Sequence, residues 1–127
     1  FASIAYLDIM LPVCAEILSG SMLLKSGTVT KIALNILSTG AMVKLGKVYG
    51  NRMVDVAVTN TKLLDRALQM IQDLTQLERD AAKELLEASG RSVKVALLMH
   101  WTKVDRAKAE AILAQNHGQL RSAMDSL

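Results

Sequence analysis

The chain has 127 residues, of which 51% are hydrophobic, 21% charged and only 3% aromatic, with a formal net charge of +3 and a pI near 9.2. That length fits one ordinary domain with a real core, and the composition excludes a disordered chain. The charge is too mild to imply a nucleic-acid partner, and one proline among abundant Ala, Leu, Lys, Gln and Glu predicts an all-α fold with an aliphatic core.

Charge is unevenly spread. Residues 1–24 carry only Asp8 and Glu16, and no base. Residues 25–52 carry Lys25, Lys31, Lys44, Lys47 and Arg52, and no acid; from residue 53 ten bases balance ten acids. The basic segment fits an anionic ligand or a solvated helix face. Ile4, Leu7, Leu11, Cys14 and Leu18 recur at three- and four-residue steps, one face of a helix. Pro12 would break an interior turn, leaving one helix before it and a second starting at it. Asp8, Pro12 and Glu16 interrupt the apolar run and no basic region precedes it. The segment is therefore expected to be a core or interface element, neither a signal peptide nor a membrane span. The chain begins at Phe1 without Met, which predicts processing or truncation. Cys14 is the single cysteine, which excludes an internal disulfide and fits a reducing compartment; a buried spectator thiol is expected.

A turn rich in glycine and hydroxyls follows: Gly20-Ser21, then Lys25-Ser26-Gly27-Thr28. Such a turn feeding a helix N-terminus can bind an anion, because free N–H groups and the helix dipole point at it; a simple capping turn is the alternative. Ser19, Ser21, Lys25 and Thr28 are the best candidate contacts, offering hydroxyls and one ammonium. Thr28 is expected to cap a long helix with Val29, Ile32, Ala33, Ile36, Leu37, Gly40, Met42 and Val43 as its apolar stripe. The helix should stop at Gly46. Met53–Val58 alternates and reads as extended. Thr59 or Asn60 caps the next helix, with Leu64, Ala67, Leu68, Ile71 and Leu74 inward. Short helices are then expected from Glu78 to Ala88, Ser92 to His100 and Val104-Asp105 through Ala114. A last turn or two lies in residues 119–127. The aliphatic stripes are expected to be covered by helices of the chain itself. The organisation predicted is a long-helix region, 1–76, and a small helical bundle, 77–127.

No metal site or cofactor is expected: His100 and His117 stand far apart without ligand spacing around them. His100-Trp101 is expected to pack and cap at a helix end. The seven methionines, spread over several helices, read as core filler. No nucleophile elbow is present.

The order of residues adds a resemblance. Cys14-Ala15-Glu16, Gly20-Ser21-Met22-Leu23 and Lys25-Ser26-Gly27-Thr28 resemble the signature of the N-acetylmuramic acid 6-phosphate etherases and glucokinase regulatory proteins of the sugar isomerase (SIS) fold group. Asn35, Leu37-Ser38-Thr39, Leu45-Gly46-Lys47-Val48-Tyr49-Gly50-Asn51, Met53-Val54-Asp55-Val56 and Thr59-Asn60 extend it. Leu85-Leu86, Gly90 and Val93-Lys94-Val95-Ala96 resemble a UBA-like three-helix tail, which that family carries. Met22 and Leu23 depart from the hydroxyl and arginine of the family pattern, and Cys14-Ala15 from its Gly-Pro.

The resemblance implies a C-terminal fragment of an etherase-like sugar-phosphate protein, cytoplasmic and homodimeric; neither a membrane nor a nucleic-acid partner is expected. It implies sugar-phosphate contacts at Glu16, Ser19, Ser21, Lys25 and Thr28. It also implies no catalytic residue in this chain, because the family's acid and base glutamates belong to its upstream half. The alternative is a helical interaction module, natural or engineered, that self-associates or binds a protein through its apolar N-terminal segment.

Overall fold

Strong helix formers dominate the chain from Lys25 onward, and helix is what forms. The computed structural model describes residues 7–21 and 23–126; Phe1, Ile4 and Met22, named above, and the last position of the 119–127 stretch lie outside them. Among the described residues are six helices: α1 (Lys25–Lys44), α2 (Thr61–Thr75), α3 (Arg79–Ala88), α4 (Val93–Thr102), α5 (Arg106–Gln115) and α6 (Leu120–Asp125). Two short strands, β1 (Val48–Tyr49) and β2 (Arg52–Met53), pair antiparallel between α1 and α2. Contacts divide the chain into two units, Phe1–Ala41 and Met42–Leu127.

In the first unit, residues 7–16 carry no regular secondary structure, so the helical face expected through Leu7, Leu11 and Cys14 does not form there. Pro12 removes a backbone donor, and a short helix in water needs an apolar face packed on something. Among the described residues nothing covers that face: Leu7 is 74% and Leu18 63% exposed. Cys14 is likewise exposed rather than buried. The stripe on α1 is open as well. None of the α1 residues is buried, and Ile36 is 66% exposed. The expectation that this chain covers its own stripes holds only for the second unit.

The second unit begins at the end of α1. Gly46 N–H donates to Val43 O at 3.0 Å and Lys47 N–H to Met42 O at 3.0 Å, the paired bonds of a Schellman stop. Gly46 takes φ +69° there, as the sequence predicts for a C-terminal glycine. The hairpin that follows was not anticipated from the sequence; its two-residue loop is Gly50-Asn51, with φ +60° at Gly50. After β2, residues 54–59 are irregular, so the extended stretch expected at Met53–Val58 is a strand only at Met53.

Asn60 caps α2, its side chain accepting from Leu63 N–H at 2.9 Å. Ser92 and Asp105 cap α4 and α5 in the same way. α4 is apolar on almost every side, and Val93, Val95, Ala96, Leu97 and Leu98 are all buried. A helix apolar all round must be surrounded, and α4 touches α2, α3, α5 and α6. Ala67, Leu68, Met70 and Ile71 of α2 and Leu86 of α3 complete the centre. Each large aliphatic side chain buried there contributes about 1.5–3 kcal/mol. Position 76, the expected division, is the left-handed C-cap of α2 inside this unit.

Candidate functional site

The residues proposed as anion contacts surround the start of α1, within the first unit. Four N–H groups at a helix start have no intrahelical partner and carry partial positive charge. Two of them are taken here by Glu16. Lys25 N–H donates to Glu16 Oε2 and Ser26 N–H to Oε1, both at 3.0 Å. Lys25 Nζ donates in turn to Ala15 O at 2.7 Å. The Ser26 amide, followed by the Lys25 amide, holds the Glu16 carboxyl below the usual carboxylate range, with the Ser26 hydroxyl and the Lys25 charge adding to the effect and partial desolvation opposing it.

Thr28 does not cap the helix as expected, because α1 begins three residues earlier. Its hydroxyl donates back to Leu24 O at 2.8 Å, and the capping is done by Glu16 from nine residues upstream of Lys25. Ser21 N–H closes a turn on Leu18 O at 3.1 Å, while Ser19 is exposed in the same turn. The structure thus joins Glu16 and Lys25, adds the unforeseen Ser26 amide, and gives Ser19, Ser21 and Thr28 no hydrogen bond to them. The sequence reading missed Ser26 because a cap at Thr28 places the first helical residue at Val29, four residues beyond the observed start at Lys25. Beside this corner is an open hollow of about 520 Å³ lined by Leu23, Leu24, Lys25, Thr28 and Val29. Chemically, the corner can hold two negatively charged oxygens on adjacent amides with an ammonium close by, which is how a phosphate is also held.

In the second unit an aromatic pair and a cation pack together around Tyr49. Tyr49 and Trp101 rings lie 5.5 Å apart, and the Arg121 guanidinium sits 5.9 Å from the Tyr49 centroid. The packing expected of His100-Trp101 is found at Trp101, but the Lys103 backbone makes the C-cap, with its N–H on Met99 O. Burial, and then the Lys103 charge, lower the pKa of His100. Among the described residues no three His, Cys, Asp or Glu side chains converge as a metal ion would require. None of the described helices is long and apolar enough to cross a membrane.

Residues 50–90 match a family model described as the C-terminal lid domain of glucokinase regulatory protein. Most of the chain is similar to proteins named N-acetylmuramic acid 6-phosphate etherase. Identity is 61% to the one from Trichodesmium erythraeum, over 94% of this chain and 39% of that protein. It is 65% to that of Gloeothece citriformis, over 96% and 40%, and 67% to that of a Synechocystis species, over 87% and 36%. The chain therefore spans about two fifths of the length of the curated relatives it matches. At that identity, with the lid-domain match inside the aligned region, the chain belongs to the N-acetylmuramic acid 6-phosphate etherase and glucokinase regulatory protein family and corresponds to a C-terminal part of it.

Proposed function

We propose that this chain supplies one wall of the sugar-phosphate site in an etherase-type protein. On this reading the intact protein is a carbon–oxygen lyase that breaks the lactyl ether of N-acetylmuramic acid 6-phosphate by elimination and water addition. It works as a cytoplasmic homodimer in the recycling of cell-wall amino sugar, with residues 77–127 as a UBA-like tail. The observation carrying the reading is the carboxylate of Glu16 seated on the Lys25 and Ser26 amides, since that corner already stabilises a pair of anionic oxygens. The phosphate takes those amides and the Lys25 ammonium, Glu16 is displaced to its edge, and the hydroxyls of Ser19, Ser21 and Thr28 belong to the same turn.

Elimination needs an acid and a base, and Glu16 is the one carboxylate of the signature region. This chain is accordingly not a catalyst by itself. Titration with N-acetylglucosamine 6-phosphate should move the Lys25–Thr28 amide resonances saturably, and incubation with N-acetylmuramic acid 6-phosphate should release no lactate. Unmoved amides at millimolar ligand would refute the binding role, and released lactate would refute the non-catalytic one.

A second reading is favoured by the open apolar side chains of the N-terminal unit, including Leu7, Ile17, Leu23 and Ile36. Exposed apolar surface of that extent marks an interface. As an interaction module the chain would dimerise with rising concentration in a sedimentation experiment, and would ignore the sugar phosphate.

A further inference from the structure

A hairpin of two residues per strand cannot hold itself in water, so the β1–β2 hairpin depends on what it leans on. β2 is fixed to α2, where Arg52 donates to Asp73 at 2.6 Å. β1 and the end of α1 lean instead on residues 118–121. Gly118 O and Gln119 Cα stand so near Gly46 that a Cβ there would lie 2.8 Å and 3.0 Å from them. Gln119 Nε2 donates to Lys44 O at 3.4 Å, and the Arg121 guanidinium rests over the Tyr49 ring. We infer that residues 118–121 are a strap: through the Lys94 ammonium they lock the end of α1 and the hairpin, and the two segments open and close as one.

Lys94 turns this contact into a lock. It is the lysine of α4, and its side chain is only 13% exposed. Its Nζ donates to Gly118 O at 3.0 Å and reaches Gly46 O at 3.5 Å, with Asp55 Oδ1 at 3.7 Å. Both carbonyls follow helix ends, those of α5 and α1, where the backbone carries partial negative charge. An ammonium largely removed from water is stable only while such acceptors surround it. If residues 118–121 lift away, Lys94 loses its shortest hydrogen bond; if the end of α1 leaves, it loses a second acceptor. Each departure therefore favours the other. Asp55 also pairs with Lys47 at 3.2 Å, which draws the residue after the Gly46 stop into the same group. Buried Leu120 and Ala123 seat the strap, and α6 packs on α4 and α5.

Amide hydrogen exchange on the full chain, read residue by residue by NMR, tests the strap. Lys94→Met keeps an apolar stem and leaves Asp55 paired with Lys47. Exchange in it should quicken at least about tenfold, by a common factor, at Gly46, Lys47 and Val54 and at Gly118 and Ala123. Ile71 and Leu86, inside α2 and α3, should keep their wild-type rates. Arg121→Ala, at an exposed position, should quicken the same two groups together by a smaller factor. Exchange that rises in one segment alone, or as much at Ile71 and Leu86 as in the strap, would overturn the inference. Should Lys94→Met not fold, Arg121→Ala decides by itself: faster exchange at residues 118–123 with unchanged rates at 46–54 would refute the lock.

Discussion

Substituting Gly46 separates two reasons for a glycine. The residue takes φ +69°, and a Cβ there would lie 2.8 Å from Gly118 O and 3.0 Å from Gln119 Cα. The left-handed conformation costs an L-residue about 1–2 kcal/mol. Forcing a methyl group against backbone adds about 1–3 kcal/mol, because the Gly118 carbonyl is itself held by Lys94 Nζ at 3.0 Å. A stiffer unfolded chain returns about 0.4–1 kcal/mol. Gly46→Ala should therefore destabilise the second unit by about 1–5 kcal/mol, or about 4 °C or more in thermal midpoint for a domain of this size. Trp101, the single tryptophan, packs against Tyr49 within that unit and reports the melt by fluorescence. Gly46→Asn tells the two causes apart: asparagine tolerates the left-handed region but still carries a Cβ. If the close approach to Gly118 dominates, Asn is nearly as damaging as Ala. A Gly46→Asn melt at the wild-type midpoint would refute the steric argument.

Leu86→Ala, at a fully buried position, should cost about 2–5 kcal/mol by chemical denaturation, unless the site collapses around the cavity. Asn60→Ala removes the cap accepted from Leu63 N–H and should cost about 1 kcal/mol in the same assay, with Asn60→Asp close to neutral. The lowered pKa of Glu16 means that its contribution to stability is present above the ordinary carboxylate range and is lost as pH falls through the depressed folded value. The Lys25 and Ser26 amide resonances should therefore move together at acid pH, and Glu16→Gln should abolish that titration; a titration persisting in the variant would rule out the carboxylate as its source. His100, with its pKa also lowered, favours the folded state above the ordinary imidazole range and disfavours it as pH falls, so the midpoint of the Trp101 melt should drop through that window less in His100→Gln than in the wild type.

Much of the fold could be read along the chain because its causes are local. Asn60, Ser92 and Asp105 cap helices through their own side chains, Gly46 stops α1 in the left-handed conformation that glycine takes most easily, and the largely apolar α4 is central. Aliphatic periodicity also predicted which residues of α2 face inward. The hairpin had a signal in Tyr49-Gly50-Asn51-Arg52, but at two residues per strand it was too short to show a period.

What lay beyond the sequence involves groups that meet across distance. Glu16 reaches the amides of Lys25 and Ser26, so the start of α1 is decided by a carboxylate outside the helix, and Thr28 loses the role its type suggested. Arg52 reaches the face of α2 that carries Lys62 and Arg66 only because the hairpin folds back. Periodicity marked the stripes of residues 7–45 as apolar, yet could not say whether this chain covers them. Propensity and capping act within a turn or two of backbone and so are written in order; burial and ion pairing depend on which surfaces meet, and only the folded chain decides that.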